Sequence, residues 1–328
     1  MNELNLLHES VVDESEIDSL GHLNVRFYVA RAATANFNLL RSLGIAAGAG
    51  QYLKRTDTYN RFHKEQFAGA RLGVFGGLTA IEGQTGVSGY YEIRNLDEDH
   101  LAASFIITTN LVDRGTDDII PMTELSHSGL DDGRLDMNSV AMASLAKNNV
   151  AIPAHGQPRS LKLLPPKQVT LEEMMLLIPE ESNPNSMNGR REGIVLEEDC
   201  DESGRLKEDI DPMFIMFRPQ PGEDLKKMGP PLQRDEQGRR YSFAMMEIRN
   251  INWHLPRLGE TLLSMSADIT FGEKWRHTRR WIFTKETGLL LGITDHAAVC
   301  MDLDARKAIP IPAELREYMQ QLSLPDYG

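Results

Sequence analysis

The chain repeats itself. The stretches "EIDSLGHLN" (16–24) and "DCDESGRLK" (199–207) share an Asp-x-x-Gly frame, with Asp18 against Asp201 and Gly21 against Gly204, each pair 183 residues apart. Three weaker pairs follow in the same order: 62–72 with 253–263, 90–104 with 280–294, and 150–161 with 309–319. Four pairs in one order point to a duplicated unit, and a duplication decides the whole architecture. The expected organisation is a first unit over 1–165, a linker over 166–192 that contains "EESNPNSMNG", and a second unit over 193–328.

The local pattern says what each unit is. Phe27, Ala30, Ala33, Phe37, Leu40 and Leu43 recur at helical steps after Asn24, and Gly44 supplies a stop. This predicts one long helix with few charges, suited to burial on more than one side. Residues 71–81, 86–95 and 101–112 are apolar or alternating, with "LDED" (96–99) as a hairpin turn between the last two. A long helix against an antiparallel meander is an α+β arrangement. The copies differ in two places. The first carries an insertion over about 115–149, a lid or a dimer contact between which composition does not choose; its Gly, Asp and Ser content suits a mobile cover. The second has Pro219 and Pro221 where the first has uninterrupted helix. A proline inside a helix costs about 3 kcal/mol, so the second helix should be broken or shortened.

Composition excludes several function classes. A net charge of −13 argues against a broad nucleic-acid or anionic-membrane surface, though it leaves room for a small basic pocket for a phosphate-bearing ligand. Cys200 and Cys300 are the only cysteines, too few for a disulfide framework or a four-thiolate metal site. The histidines have no metal-ligand spacing, and neither a P-loop nor a G-x-S-x-G motif occurs. No metal or cofactor is expected. The first residues lack a basic and apolar leader, and no run approaches 18 apolar residues, so the expected location is the cytoplasm, away from membranes.

D-x-x-G-H-x-N ahead of a long helix, with a strand meander after it, resembles the hot-dog-fold thioesterases, in particular the 4-hydroxybenzoyl-CoA thioesterase-like group. Asp18, Gly21, His22 and Asn24 carry the signature, with Tyr28 one turn into the helix. "FAGARLGV" (67–74) resembles that group's strand entry, and "IPAELREYM" (311–319) its tail. The resemblance implies a tandem (double) hot-dog fold, two units each with a long central helix wrapped by a curved antiparallel sheet. It also implies an acyl-CoA thioesterase that assembles as a homodimer. An acyl-carrier protein is a second possible acyl donor, disfavoured by the chain's own acidity. A hydratase or dehydratase of the same fold and a non-catalytic acyl-thioester binding protein are the other readings.

Thioester hydrolysis needs an attacking water or carboxylate and charge stabilisation for the carbonyl oxygen, while the thiolate leaves readily. Asp18 is the candidate base or nucleophile, with a capping or turn role as the plain alternative. The start of the helix offers unpaired amides and a positive dipole end for an oxyanion. His22 can donate to the carbonyl or hold the loop; Asn24 can position water or cap the helix. Gly21 allows close approach of backbone to substrate, and Tyr28 is a pocket-wall or core aromatic. The second copy keeps Asp201 and Gly204 but has Arg205 for His22 and Lys207 for Asn24, and so reads as degenerate.

Overall fold

The structure is a computed structural model that describes residues 4–48, 50–82, 85–121, 150–178, 189–207, 209–217 and 233–328. It divides into two units, residues 1–17 with 21–157, and residues 18–20 with 158–328.

The first unit begins with strand β1 (Asn5–Val11) and a 3-10 turn (Glu14–Glu16), then helix α1 (Val25–Ser42). Strands β2 (Gln51–Phe62), β3 (Arg71–Glu82), β4 (Gly86–Asn95) and β5 (His100–Asp113) follow. They pair antiparallel in the order β1-β3-β4-β5-β2. Asn24 caps α1, its Oδ1 accepting from the Arg26 amide at 3.1 Å, and Gly44 lies just past the end with φ +75°. Tyr28, Val29, Ala32, Ala33, Ala35, Phe37, Leu39 and Leu40 are all buried, more than one stripe of the helix.

The face of the sheet that meets α1 can be read from Tyr91, whose hydroxyl donates to Asn36 Oδ1 at 2.8 Å, and from Thr109 Oγ1, which accepts from Asn36 Nδ2 at 3.0 Å. Strand alternation then puts Leu72, Val74 and Gly76 of β3 and Phe105 and Ile107 of β5 on that face. It is apolar, and it is shaped around Tyr91. A Cβ on Gly76 would lie 2.3 Å from Tyr91 Cδ1 and 3.0 Å from Leu7 Cδ1. Gly76→Ala should therefore cost about 1–3 kcal/mol by overpacking, read as a drop in urea midpoint with the slope unchanged.

The second unit repeats the plan with β6 (Gly189–Ile194), a 3-10 turn (Glu197–Asp199) and a four-residue helix, here α3 (Pro212–Ile215) because α2 (Leu171–Leu177) precedes it in the chain. Strands β7 (Gln233–Arg234), β8 (Arg240–Asn252), β9 (Thr261–Phe271), β10 (Trp275–Thr284), β11 (Leu290–Asp302) and β12 (Lys307–Ala308) complete it, with helix α4 (Ala313–Leu322). The main order is β8-β11-β10-β9-β6, with β7 on β8 and β12 on β11. One side of this sheet packs Trp281, Phe283, Met265 and Ile293 against Met174 and Ile178; the other packs Leu262 and Ile282 against Met213 and Ile215.

The duplication extends to hydrogen bonds. Bridges Ile17–Leu23 and Cys200–Leu206, and amide bonds from Asn24 to Glu16 and from Lys207 to Asp199, recur 183 residues apart. The turn glycines Gly21 and Gly204 have φ +84° and +74°. The long central helix expected in the second unit is not found among the described residues. α3 ends at Ile215, and residues 218–232, including both prolines, lie outside them. Within the expected linker, 171–177 is helical and 189–192 belongs to β6, while 179–188 lie outside the described residues. Most of the insertion, 122–149, lies outside them too. The pairing of 150–161 with 309–319 fails as structure. The second stretch runs into helix α4, whereas the first turns at Gly156, where a Cβ would meet the Tyr90 ring at 2.4 Å.

Candidate active site

The D-x-x-G-H-x-N loop is clipped at its base by the Ile17–Leu23 bridge and by the Leu23 amide donating to Gln66 O at 2.8 Å. Gly21 takes the left-handed conformation at the tip, with nothing within 4 Å of where a Cβ would stand. That is a turn only glycine makes without strain. Asp18 is half-buried, and its Oδ1 accepts from the Leu20 amide at 2.9 Å, which fixes the carboxylate against the loop. His22 Nε2 lies 3.6 Å from Glu65 Oε1, and its side chain is 17% exposed. Tyr28 is buried and meets the Phe62 ring edge-on at 5.4 Å.

At the helix start, the side chain of Asn24 takes the Arg26 amide and its carbonyl takes the Phe27 amide at 3.0 Å. The Val25 amide has no partner among the described residues. It is a donor at the positive end of α1, the kind of group that stabilises a developing oxyanion.

The second loop keeps the frame with different chemistry. Asp201 Oδ1 accepts from the Ser203 amide (2.8 Å), the Ser203 hydroxyl (2.6 Å) and the Arg205 amide (3.1 Å). Lys207 Nζ donates to Glu198 O at 2.7 Å.

A buried polar cluster on the other face of β4 was not singled out by the sequence reading. Glu92 is 2% exposed. Its Oε1 accepts from Tyr90 Oη at 2.9 Å and lies 2.7 Å from His155 Nε2; its Oε2 accepts from Arg94 Nε (2.8 Å) and Nη2 (2.6 Å). Burial pushes the Glu92 carboxyl up, and the bonds from His155, Arg94 and Tyr90 outweigh it, so it titrates below the ordinary range. The signal was present in "YYEIRN": Tyr90, Glu92 and Arg94 alternate along a strand whose other face is apolar. Nearby, His63 Nε2 sits 3.0 Å from Ser104 Oγ. Among the described residues no group of three or more His, Cys, Asp or Glu is placed to hold a metal ion.

Two histidines make the fold acid-sensitive. Burial, then Arg61 and His155, lower His63 to about 4. Burial, then Arg280, lower His296 to about 3. Both folded values lie below the unfolded one near 6.5, so their contribution is complete above that pH and is lost as pH falls through it toward 4 and 3. For fully buried His296 this is about 2–3 kcal/mol between pH 7 and pH 4.5, and His296→Gln should flatten the pH dependence of the urea midpoint in that window.

No protein-family model matches the chain, and none of the curated proteins does. Solved structures do. A putative oleoyl thioesterase from Lactobacillus plantarum superposes with a TM-score of 0.58 at 10% identity, covering 94% of this chain and 98% of that one. The fold is the tandem hot dog. The 12:0-ACP thioesterase from Umbellularia californica gives a TM-score of 0.56 at 10% identity, covering 89% of this chain and 93% of that one. An acyl-ACP thioesterase from Bacteroides thetaiotaomicron gives 0.53 at 9% identity, covering 89% and 96%. In tandem hot-dog terms, the D-x-x-G-H-x-N loop leads into the long helix of the first unit, and the Asp201 loop holds the same chain position in the second.

Proposed function

We propose that this tandem hot-dog protein hydrolyses an acyl thioester to a carboxylic acid and a free thiol, with an acyl-CoA as substrate. The reading rests chiefly on one observation: a half-buried carboxylate, Asp18, in a glycine-tipped loop that runs directly into the amino end of α1. Asp18 activates water or attacks the carbonyl itself. The Val25 amide and the dipole of α1 take up charge on the thioester oxygen, with His22 donating to the same oxygen. Gly21 admits the substrate to the backbone, Asn24 fixes the helix start, and Tyr28 forms apolar wall. No cofactor takes part. The protein works as a cytoplasmic homodimer. No helix among the described residues is long and apolar enough to cross a membrane.

A carrier-protein thioester is the second reading, favoured by the acyl-ACP and 12:0-ACP thioesterases among the similar structures. A net charge of −13 supplies little long-range attraction for an acidic carrier and favours CoA. Thiol release from a panel of short, long, branched and aromatic acyl-CoAs, beside the same acyl groups on a carrier protein, tests both. Turnover of CoA esters supports the first reading and turnover of carrier esters alone supports the second. Binding without turnover of either would replace both with an acyl-thioester binding protein.

A further inference from the structure

The two units differ most on the face that α1 covers in the first. Matching hydrogen bonds set the equivalence. Leu96 N donates to Arg71 O and Lys285 N to Thr261 O, both at 2.8 Å. The irregularity after Ile93 in the β4–β5 pairing recurs after Ile282 in the β10–β11 pairing. On this register Tyr91 corresponds to Arg280, Val74 to Ser264, Phe105 to Thr294 and Ile107 to His296. A stretch that is apolar in one copy is polar and cationic in the other, beside Leu262 and Ile282, which keep the rest of the face apolar.

That face is buried and its groups are not paired off. Arg280 is 1% exposed; among the described residues its Nε has no hydrogen-bond partner, and Nη1 makes only a long bond, to Ser264 Oγ at 3.5 Å. Among the described residues no carboxylate lies within ion-pair distance of it. Thr294, directly across the ladder, leaves its Oγ1 unpaired, and the next residue across, Asn250, leaves both amide atoms unpaired. Arg276 is 3% exposed; its Nη1 makes no hydrogen bond among the described residues and a loose ion pair with Asp268 Oδ1 at 3.8 Å. From the more exposed edge strand β6, Arg191 stacks on the Phe217 ring at 5.3 Å, the ring on which Arg280 also lies at 4.5 Å. Arg191 and Arg280 thus share one aromatic ring, and Arg276 lies on the same face of β10 as Arg280.

Unpaired buried cations, amides and hydroxyls are costly, and a bound anion is one partner that would satisfy this set together. Burial and the neighbouring Arg191 and Arg276 pull the Arg280 guanidinium down to about 9, the direction a missing counter-charge gives. We propose that the second unit contains an anion-binding site centred on Arg280, with Thr294, Asn250 and Arg276 as further contacts, that takes a small molecule bearing a carboxylate or phosphate. Guanidinium and hydroxyl donors suit the oxygens of either group. The site is built without Asp18 and does not depend on the thioesterase reading.

The test is thermal denaturation of the full chain at constant ionic strength with phosphate or succinate up to about 10 mM, since a ligand of the native state raises the midpoint in a saturable way. The wild type should show the rise with at least one anion. Phosphate alone marks a phosphate-bearing ligand, succinate alone a carboxylate, and both an undiscriminating oxyanion site. Arg280→Met should weaken the apparent affinity by about ten-fold or more, and Thr294→Val, which keeps the fold's shape, by about three-fold or more. Asp18→Asn should leave the rise unchanged. No saturable rise in the wild type, or an equal rise in Arg280→Met and Thr294→Val, overturns the proposal.

Discussion

Asp18→Asn lowers kcat/KM for thioester hydrolysis by about 100-fold or more, equivalent to about 2.7 kcal/mol of transition-state stabilisation, while Asp201→Asn stays within about two-fold of wild type. The substitution is conservative where it should be. An asparagine oxygen can still accept from the Leu20 amide, as Asp18 Oδ1 does at 2.9 Å, so the loop and Gly21 keep their conformation. What is lost is the charge that takes a proton from water or attacks the carbonyl. Asp201 differs in its setting: one of its oxygens already serves Ser203 and Arg205 with three bonds, and the next helix among the described residues, α3, has only four residues, where α1 runs for 18. The measurement is thiol release by purified wild type and both variants, with unchanged melting curves as the control for folding. Equal activity in wild type and Asp18→Asn would move the chemistry off this loop, and a loss in Asp201→Asn would move it to the second unit.

The residues that carried the reading were those with strong local signatures. The helix after Asn24 was legible because its apolar positions recur at three and four residues and a glycine closes it. Strands β3, β4 and β5 were legible as apolar runs around an acidic turn. Strand β2, "QYLKRTDTYNRF", was not, because Lys54, Arg55, Thr58 and Asn60 are buried there and break any apolar alternation. The polar face of the second unit was hidden for a different reason. The sequence pairing set 90–104 against 280–294, a shift of 190, whereas the hydrogen bonds equate Leu96 with Lys285 and so Tyr91 with Arg280, a shift of 189. One residue of slip in a strand exchanges its two faces. It matches Tyr91 with Trp281, aromatic with aromatic, and conceals the arginine.

That exchange of faces also decides where the second unit is most fragile. Arg279 and Arg280 are neighbours on β10 with opposite surroundings. Among the described residues Arg280 has no carboxylate within ion-pair distance, but Arg279, 4% exposed, donates from Nε to Asp295 Oδ1 at 2.8 Å and from Nη2 to Oδ2 at 2.9 Å, and its Nη1 reaches Tyr327 O. His277 Nε2 lies 2.8 Å from the same Oδ1. Burial pushes the Asp295 carboxyl up, but the bonds from His277 and Arg279 dominate and hold it at about 2. Its folded value lies below the unfolded one, so its contribution is present at neutral pH and fades only as pH falls below about 4 toward 2. Asp295→Ala at pH 7 leaves Arg279 buried without its counter-charge, and removing one partner of a buried pair costs about 3–5 kcal/mol. Urea unfolding should show a loss of that size. Arg279→Met with Asp295→Leu should recover most of it, because the double substitution removes both charges. Arg280→Met, one residue away, should cost little or nothing without anion, since no ion pair is broken. A loss below about 1 kcal/mol for Asp295→Ala would mean that Arg279 finds water or another partner, and that β10 is less tightly sealed on this side than its burial indicates.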